Sequence, residues 1–253
     1  MLKLYMKLIV LGSGTCVPSL KRSAPGYLLE VSNRQFLVDC GNSILLQLER
    51  SGKGYKDIDA ILITHTHPDH FSDLMAILHA LMVTPGFSRE RSLSLIGPPG
   101  FKRLYECCFA VILPKPKTFH IEVKEAEQKM DLGYLHVLTT KTVHSENSIA
   151  YRFEGEGKSV VFTGDCDYDE SLIALSTNAD LLVIDCSYPN ALKVSGHLSA
   201  KECGIVARKA NVRKVLLSHI YPTHVPEDER VKECSAEYKG EVLLAEDLME
   251  ISI

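Results

Sequence analysis

Apolar residues recur along this chain in short blocks, punctuated by glycine, proline and small polar residues. The block at 4–11 reads as a buried strand that stops at Gly12-Ser13-Gly14-Thr15. Two further blocks, 27–31 and 35–39, flank Ser32-Asn33-Arg34 and predict a hairpin. Asn42 is placed to cap a short helix whose Ile44, Leu45 and Leu48 share a face, with Gly52 as its stop. Residues 58–64 form another apolar run. Beyond it Phe71, Leu74, Met75, Leu78 and Leu81 recur at helical spacing, and that helix stops before Pro85-Gly86.

The second half repeats the style. A strand at 92–96 leads into Gly97-Pro98-Pro99-Gly100, and a helix starts near Phe101. Strands follow at 134–143 and 149–153, where Ile149, Tyr151 and Phe153 alternate with polar or small neighbours. The runs 160–163, 181–184 and 215–218 are short apolar strands. Ser199-Ala200-Lys201-Glu202 is a capping box that opens a helix reaching about Ala210. Residues 241–253 are expected to close the sheet. Strands and helices interleave with no linker and no repeat, which predicts a layered α/β architecture in a single domain over 1–253.

Composition narrows the function. The 253 residues carry 28 Lys plus Arg against 32 Asp plus Glu, a net charge of −4 with histidine neutral. That balance is a poor footprint for a general nucleic-acid binder. No run reaches the roughly 18–20 apolar residues of a membrane span, so no membrane role is expected. The N-terminal apolar stretch is short, is interrupted by Lys7 and lacks a small-x-small cleavage site, so a strand is the better reading than a signal peptide. Eight cysteines occur without a CxxC spacing. They read as reduced thiols of a cytoplasmic protein.

Ten histidines remain to be placed. Three fall in Thr64-His65-Thr66-His67-Pro68-Asp69-His70. Three imidazoles and a carboxylate in six residues are hard to explain by packing, because each buried ring nitrogen needs a partner. His65 and His67 are two apart, so at an extended strand end they point the same way. Pro68 suits a first helical turn, and Asp69 and His70 project from that turn, where the helix dipole favours the carboxylate. One bend thus presents two sets of metal ligands.

The run HTHPDH resembles the HxHxDH signature of the metallo-β-lactamase superfamily, and the resemblance continues over nearly the whole chain. It implies a four-layer αββα sandwich and a two-metal site completed by a later histidine, a bridging aspartate and a final histidine. His144 in Val143-His144-Ser145, Asp165 in Thr163-Gly164-Asp165 and His219 in Ser218-His219-Ile220 match those contexts. Carried over, one metal takes His65, His67 and His144, the other takes Asp69, His70 and His219, and Asp165 bridges them. Asp167 and Asp169 compete with Asp165 and read as solvated or helix-start carboxylates. Asp39 and Asp185 also follow apolar strands and read as supporting carboxylates. His197, before the capped helix, resembles the histidine of the ribonuclease Z branch that assists the leaving group; the alternative is a structural hydrogen bond near the helix start. His79, His120, His136 and His224 receive no role.

A ligand set of nitrogen and carboxylate suits two divalent ions, Zn²⁺ first, with Mn²⁺ or Fe tolerated. Two such ions can hold a hydroxide that is nucleophilic near neutral pH. Hydrolysis is therefore the expected chemistry, with Asp69 orienting the nucleophile and His197 donating a proton. The turns at 12–15 and 97–100 and the His197 segment resemble the ribonuclease Z and small cyclic-phosphodiesterase branch, so a phosphodiesterase is the first choice. A lactonase or thioesterase on the same site, and a non-catalytic metal-binding module, stay open. Gly12-Ser13-Gly14 lacks dinucleotide-site spacing. Ribonuclease Z carries a tRNA-gripping arm between the positions of His144 and Asp165, and here the two are only 21 positions apart. The resemblance thus points to a small or flexible phosphodiester, such as a cyclic nucleotide, rather than folded tRNA. Lys21, Arg22, Lys115, Lys117 and Lys193 are candidates for a positive rim or are simply solvated. Assembly as a homodimer is left open.

Overall fold

The computed structural model describes residues 5–133 and 135–253. In chain order its elements are β1 (Met6–Gly12), β2 (Gly26–Val31), β3 (Arg34–Cys40), α1 (Ile44–Arg50), β4 (Ile58–Leu62), α2 (Pro68–Phe71), α3 (Leu74–Val83), β5 (Leu93–Gly97), α4 (Phe101–Leu104), α5 (Ala110–Ile112) and β6 (Ile121–Glu125). Then come β7 (Lys129–Asp131), β8 (His136–Lys141), β9 (Ile149–Gly155), β10 (Lys158–Phe162), α6 (Glu170–Ser176), β11 (Leu181–Asp185), α7 (Ala200–Ala210), β12 (Lys214–Ser218), α8 (Asp228–Glu237), β13 (Glu241–Leu244) and β14 (Glu250–Ser252).

The strands form two sheets, ordered β14-β1-β2-β3-β4-β5-β6 and β13-β12-β11-β10-β9-β8-β7. Alternating side chains of each strand face opposite ways. Leu8, Val10, Leu29, Val38 and Leu62 of the first sheet meet Tyr151, Phe153, Val160, Phe162 and Val183 of the second in a shared apolar layer. The opposite face of the first sheet packs on α1, α3 and α4 through Ile44, Leu48, Ile77, Leu78 and Phe101. The opposite face of the second packs on α6 and α7 and on Cys234 of α8. The order helix, sheet, sheet, helix is the expected four-layer αββα sandwich, with one core between the sheets.

Each sheet has a parallel half: β3 to β6 in the first and β10 to β13 in the second. Parallel strands end together, and the segments leaving their C-terminal ends are free to carry chemistry. Polar ties lock the two sheets under those ends. The Tyr27 hydroxyl bonds Ser218 Oγ at 2.7 Å, and the Tyr151 hydroxyl donates to the Ile63 carbonyl at 3.0 Å.

Several expectations change. The helix expected across 71–81 is two, because α2 stops at Phe71 and α3 starts at Leu74; α2 instead serves the bend that carries Asp69 and His70. Ser43, not Asn42, occupies the cap position of α1, in the left-handed region at φ 76°. The helix from Phe101 is interrupted by a π-helical stretch, Tyr105–Phe109. The segment 241–253 does not close one sheet: β13 borders the second sheet and β14 the first. Short or charged elements gave no apolar period to read, as in β6, β7, α6 and α8. The expected strand starts at residues 4 and 134 lie outside the described residues. No helix among the described residues is long and apolar enough to cross a membrane.

Candidate active site

All seven residues singled out as ligands converge where the parallel strands end. His65 and His67 follow β4, Asp69 and His70 sit in α2, and His144 lies between β8 and β9. Asp165 follows β10 and His219 follows β12. His67 Nδ1 stands 3.0 Å from both His65 Nε2 and His144 Nε2. The last two lie 3.7 and 3.6 Å from Asp165 Oδ2. On the other side of the same carboxylate, Asp165 Oδ1 is 3.1 Å from His70 Nε2 and 3.2 Å from His219 Nε2. Asp69 Oδ2 closes that group, 3.9 Å from His70 Nε2 and 3.5 Å from His219 Nε2.

The hydrogen-bond network fixes which nitrogens carry lone pairs. His144 Nδ1–H donates to the Gly196 carbonyl at 2.8 Å, so Nε2 faces the site bare. His70 Nδ1–H donates to Asp39 Oδ2 at 2.8 Å. The Thr64 hydroxyl donates to Asp39 Oδ2 and so accepts from His65 Nδ1–H at 3.1 Å. The Ser187 hydroxyl donates to Asp185 Oδ1 at 2.6 Å and accepts from His219 Nδ1–H at 2.9 Å. Four imidazoles are thus turned so that an electron pair points inward, the arrangement typical of metal-bound histidine.

Two of those nitrogens, and one oxygen of Asp165, lack partners. His70 Nε2, His219 Nε2 and Asp165 Oδ1 are buried and make no hydrogen bond. Leaving such groups unsatisfied costs about 1–3 kcal/mol each. A cavity of about 20 Å³ lies against their inner side, where His70, Asp165 and His219 face Tyr27, Phe162 and Val183 of the core. An ion with bonds of about 2.0–2.1 Å in tetrahedral geometry separates its ligands by about 3.3 Å, the middle of the distances observed. Two groups, His65, His67, His144, Asp165 and Asp69, His70, His219, therefore have the donors and spacing to hold a metal.

Charge agrees. Asp39, Asp69, Asp165 and Asp185 crowd the site, and among the described residues no Lys or Arg pairs with any of them. Four carboxylates match the charge of two divalent ions. Burial would raise the Asp165 carboxyl, but His219 and His70 outweigh it and hold the group well below the usual range. Burial would lower His70, yet Asp165 and Asp39 lift it well above an ordinary histidine. Burial first, then the neighbouring His70, drives His65 down against the pull of Asp165, keeping its ring neutral.

Local backbone explains the placement. Asp39 has no partner across the β2–β3 ladder, where Tyr27 pairs with Val38 and Gly26 with Cys40. This bulge puts Asp39 at φ 56° and turns its carboxylate toward Thr64 and His70. His219 is also left-handed, at φ 56°. Non-glycine residues held there cost energy and cluster at functional sites. Gly164, at φ 56°, lies against Thr64, and a Cβ would come within 2.7 Å of it.

His197 borders both groups, its ring 4.9 Å from that of His144 and 5.6 Å from that of His219. Its Nδ1 donates to Asp185 Oδ2 at 2.9 Å, with Ser187 Oγ at 3.1 Å. Burial lowers its pKa, but the bond to Asp185 and the charges of Asp185 and Asp165 raise it overall.

The supporting residues were only partly visible in the sequence. Asp39 and Asp185 hold ligands as expected of supporting carboxylates. Ser187, Gly196 and Arg230 were missed. Arg230 is fully buried, and its guanidinium donates to the carbonyls of Cys186, Ser187 and Tyr221, clamping the segments beside Asp185 and His219. The charge of α8 near its start was the only available signal. Two rim candidates are corrected: Arg22 is buried against Glu227, and Lys193 is tied to Asp167 and Glu202. Asp169 caps α6 through Ser171 N–H, as a helix-start carboxylate should. Asp167 is partly exposed, paired with Lys193 and not at a helix start.

The model of the Beta-lactamase superfamily domain matches residues 34–220, which include every residue of this site. The chain belongs to the β-lactamase superfamily. Among its relatives, ribonuclease Z of Archaeoglobus fulgidus is 24% identical, with 99% of this chain and 98% of that protein covered. The probable metallo-hydrolase YhfI of Bacillus subtilis is 28% identical, covering 95% and 97%. The crystal structure of YhfI superposes with a TM-score of 0.86 at 26% identity, over 98% of this chain and 100% of that one. Human tRNase Z, short form, shares the fold at a TM-score of 0.80 and 22% identity, over 98% and 99%. The protein is a metal-dependent hydrolase of this superfamily, related to ribonuclease Z.

Proposed function

We propose that the protein is a dinuclear phosphodiesterase acting on a small or flexible phosphodiester, such as a cyclic nucleotide. The observation that carries this reading is the arrangement around Asp165: bare imidazole nitrogens on both of its oxygens, three buried atoms with no partner, and four carboxylates with no Lys or Arg. His65, His67 and His144 would hold one divalent ion, Asp69, His70 and His219 would hold the other, and Asp165 would be shared between them. Zinc suits the donors best, with manganese or iron tolerated.

Two bound ions supply Lewis acidity and acidify water toward neutral pH. The rest falls to the chain. Asp69 reaches the site from the opening of α2 and has its carboxyl held low, against burial, by the neighbouring His219 and His70 rings. It is the acceptor that orients the attacking water. His197 keeps a proton on Nδ1 through Asp185 and presents Nε2, which has no protein partner among the described residues, to the departing alkoxide. His67 is exposed, so the phosphoryl group enters over the His67–His144 edge.

Ester type is supported by kinship with ribonuclease Z over nearly the full length. Small size is supported by the segment from His144 to Asp165, which consists of the β9–β10 hairpin and its short connections. The test is a panel on protein loaded with zinc or manganese: a bis-aryl phosphodiester, cyclic nucleotides, a thioester, a lactone and a precursor tRNA. The proposal expects turnover of the small phosphodiesters. Thioester or lactone turnover without phosphodiester turnover overturns the ester class, and exclusive cleavage of the tRNA overturns the substrate size.

A further inference from the structure

Asp167 has no part in the ligand set, yet its carboxylate is fully engaged. Its backbone N–H donates to the Val143 carbonyl at 2.7 Å, which fastens it beside His144. Its Oδ2 accepts the Gly196 N–H at 2.8 Å. Its Oδ1 accepts Lys193 Nζ at 2.5 Å and the Tyr168 N–H at 2.8 Å. Lys193 also reaches Glu202 Oε2 at 2.6 Å, in the capping box of α7.

The partner that matters is Gly196. Its N–H goes to Asp167 while its carbonyl receives His144 Nδ1–H at 2.8 Å. Gly196 sits at φ 89°, and a Cβ there would stand 3.4 Å from His144 Nδ1. The next residue is His197. One glycine therefore fixes the ring of His144 and the start of the segment that presents His197, and one carboxylate holds that glycine.

We infer that Asp167 is a positioning residue that sets His144 and His197 together, by way of Gly196. The inference rests on the proposed roles of those two histidines. A carbonyl that orients a ligating imidazole works only if it stays in place, and such outer partners typically matter about 10–100-fold in metal affinity or activity. The Gly196 bond is the working contact; Lys193 is partly exposed and its ion pair contributes less.

The experiment uses the full chain loaded with zinc, with metal content read after a fixed chelator challenge. Turnover is compared on two bis-aryl phosphodiesters with good and poor leaving groups. Asp167→Ala is expected to lose one of two metals at a chelator level that spares the wild type. It is expected to slow the poor leaving group about 10–100-fold and the good one less. Asp167→Asn keeps an oxygen for the Gly196 N–H and should recover most of both; Lys193→Met should stay within about threefold. Gly196→Ala, which strains the same link without touching Asp167, should reproduce both signs and carries the test if Asp167→Ala does not fold. Retention of both metals with an unchanged leaving-group dependence in the Asp167 and Gly196 variants overturns the inference, as does a Lys193→Met defect equal to that of Asp167→Ala. His144→Ala and His197→Ala are the controls. If they show neither metal loss nor leaving-group dependence, the reading of the site falls and the inference with it; if they do and Asp167 does not, the inference alone falls.

Discussion

The two sides of Asp165 are built differently. On one, three imidazoles and a single carboxylate oxygen meet, His67 is exposed, and only His65 is backed by a carboxylate, Asp39 through Thr64, while His144 is held by a backbone carbonyl. On the other, two carboxylates and two imidazoles meet, and the rings are backed by Asp39 directly and by Asp185 through Ser187. Among the candidate ligand atoms, the three that are buried without partners all belong to this second side. Charge behind a histidine makes it a more basic ligand. The deep side is thus suited to retaining its ion, and the shallow side to meeting substrate.

The contrast is broken most severely at the residue both sides share. Asp165→Ala removes the bridge, and turnover on the best substrate is expected to fall at least about 10³-fold, with metal lost from both sides. Metal analysis beside the kinetic assay checks it; near-normal turnover would take Asp165 out of the site. His197→Ala removes the proposed proton donor and none of the proposed ligands. Both ions should remain, and poor leaving groups should slow about 10²-fold while good ones slow less. Equal slowing across leaving groups contradicts the proton-donor role.

Smaller changes sharpen the difference between the sides. Asp39→Ala frees the His70 ring and should weaken binding on the deep side about 10–100-fold, leaving the shallow side unchanged. Competition with a chromophoric chelator resolves the two affinities. Metal removal gives the smallest effect, read as stability against pH. Without ions, Asp165 and Asp39 lift the pKa of His70, against burial, above that of an unfolded histidine. That contribution is full below the unfolded value, about 6.5, and is lost as pH rises through the raised value. The melting temperature of the chelated protein should therefore decline on the alkaline side of neutrality more than that of the loaded protein. Parallel curves would count against a charged His70.

The legibility of these features in the sequence follows the same division. His65, His67, Asp69 and His70 are contiguous, so their chemistry shows in one line of text. His144, Asp165 and His219 were readable only through the resemblance to the family's motif order; position after a strand was not enough, since Asp39 and Asp185 follow apolar strands as well. The strands of the shared core were legible because their apolar blocks are bounded by turns. What supports the site was not. Ser187, Gly196 and Arg230 act through a hydroxyl, a carbonyl and a buried guanidinium that meet the ligands only across the fold. Asp167 looked like a solvated carboxylate because nothing nearby in sequence reveals the Gly196 N–H. The split of 241–253 between two sheets was hidden as well, since strand partners more than 200 residues away leave no local trace.

The measurement that bears most directly on the account is metal stoichiometry by plasma mass spectrometry, on the wild type and on His144→Ala and His219→Ala after loading with zinc and removal of the excess. Two ions per chain are expected in the wild type. One is expected to remain in each variant, the deep ion in His144→Ala and the shallow ion in His219→Ala. A wild type that holds one ion or none, or variants that both keep two, would contradict a dinuclear site built across Asp165.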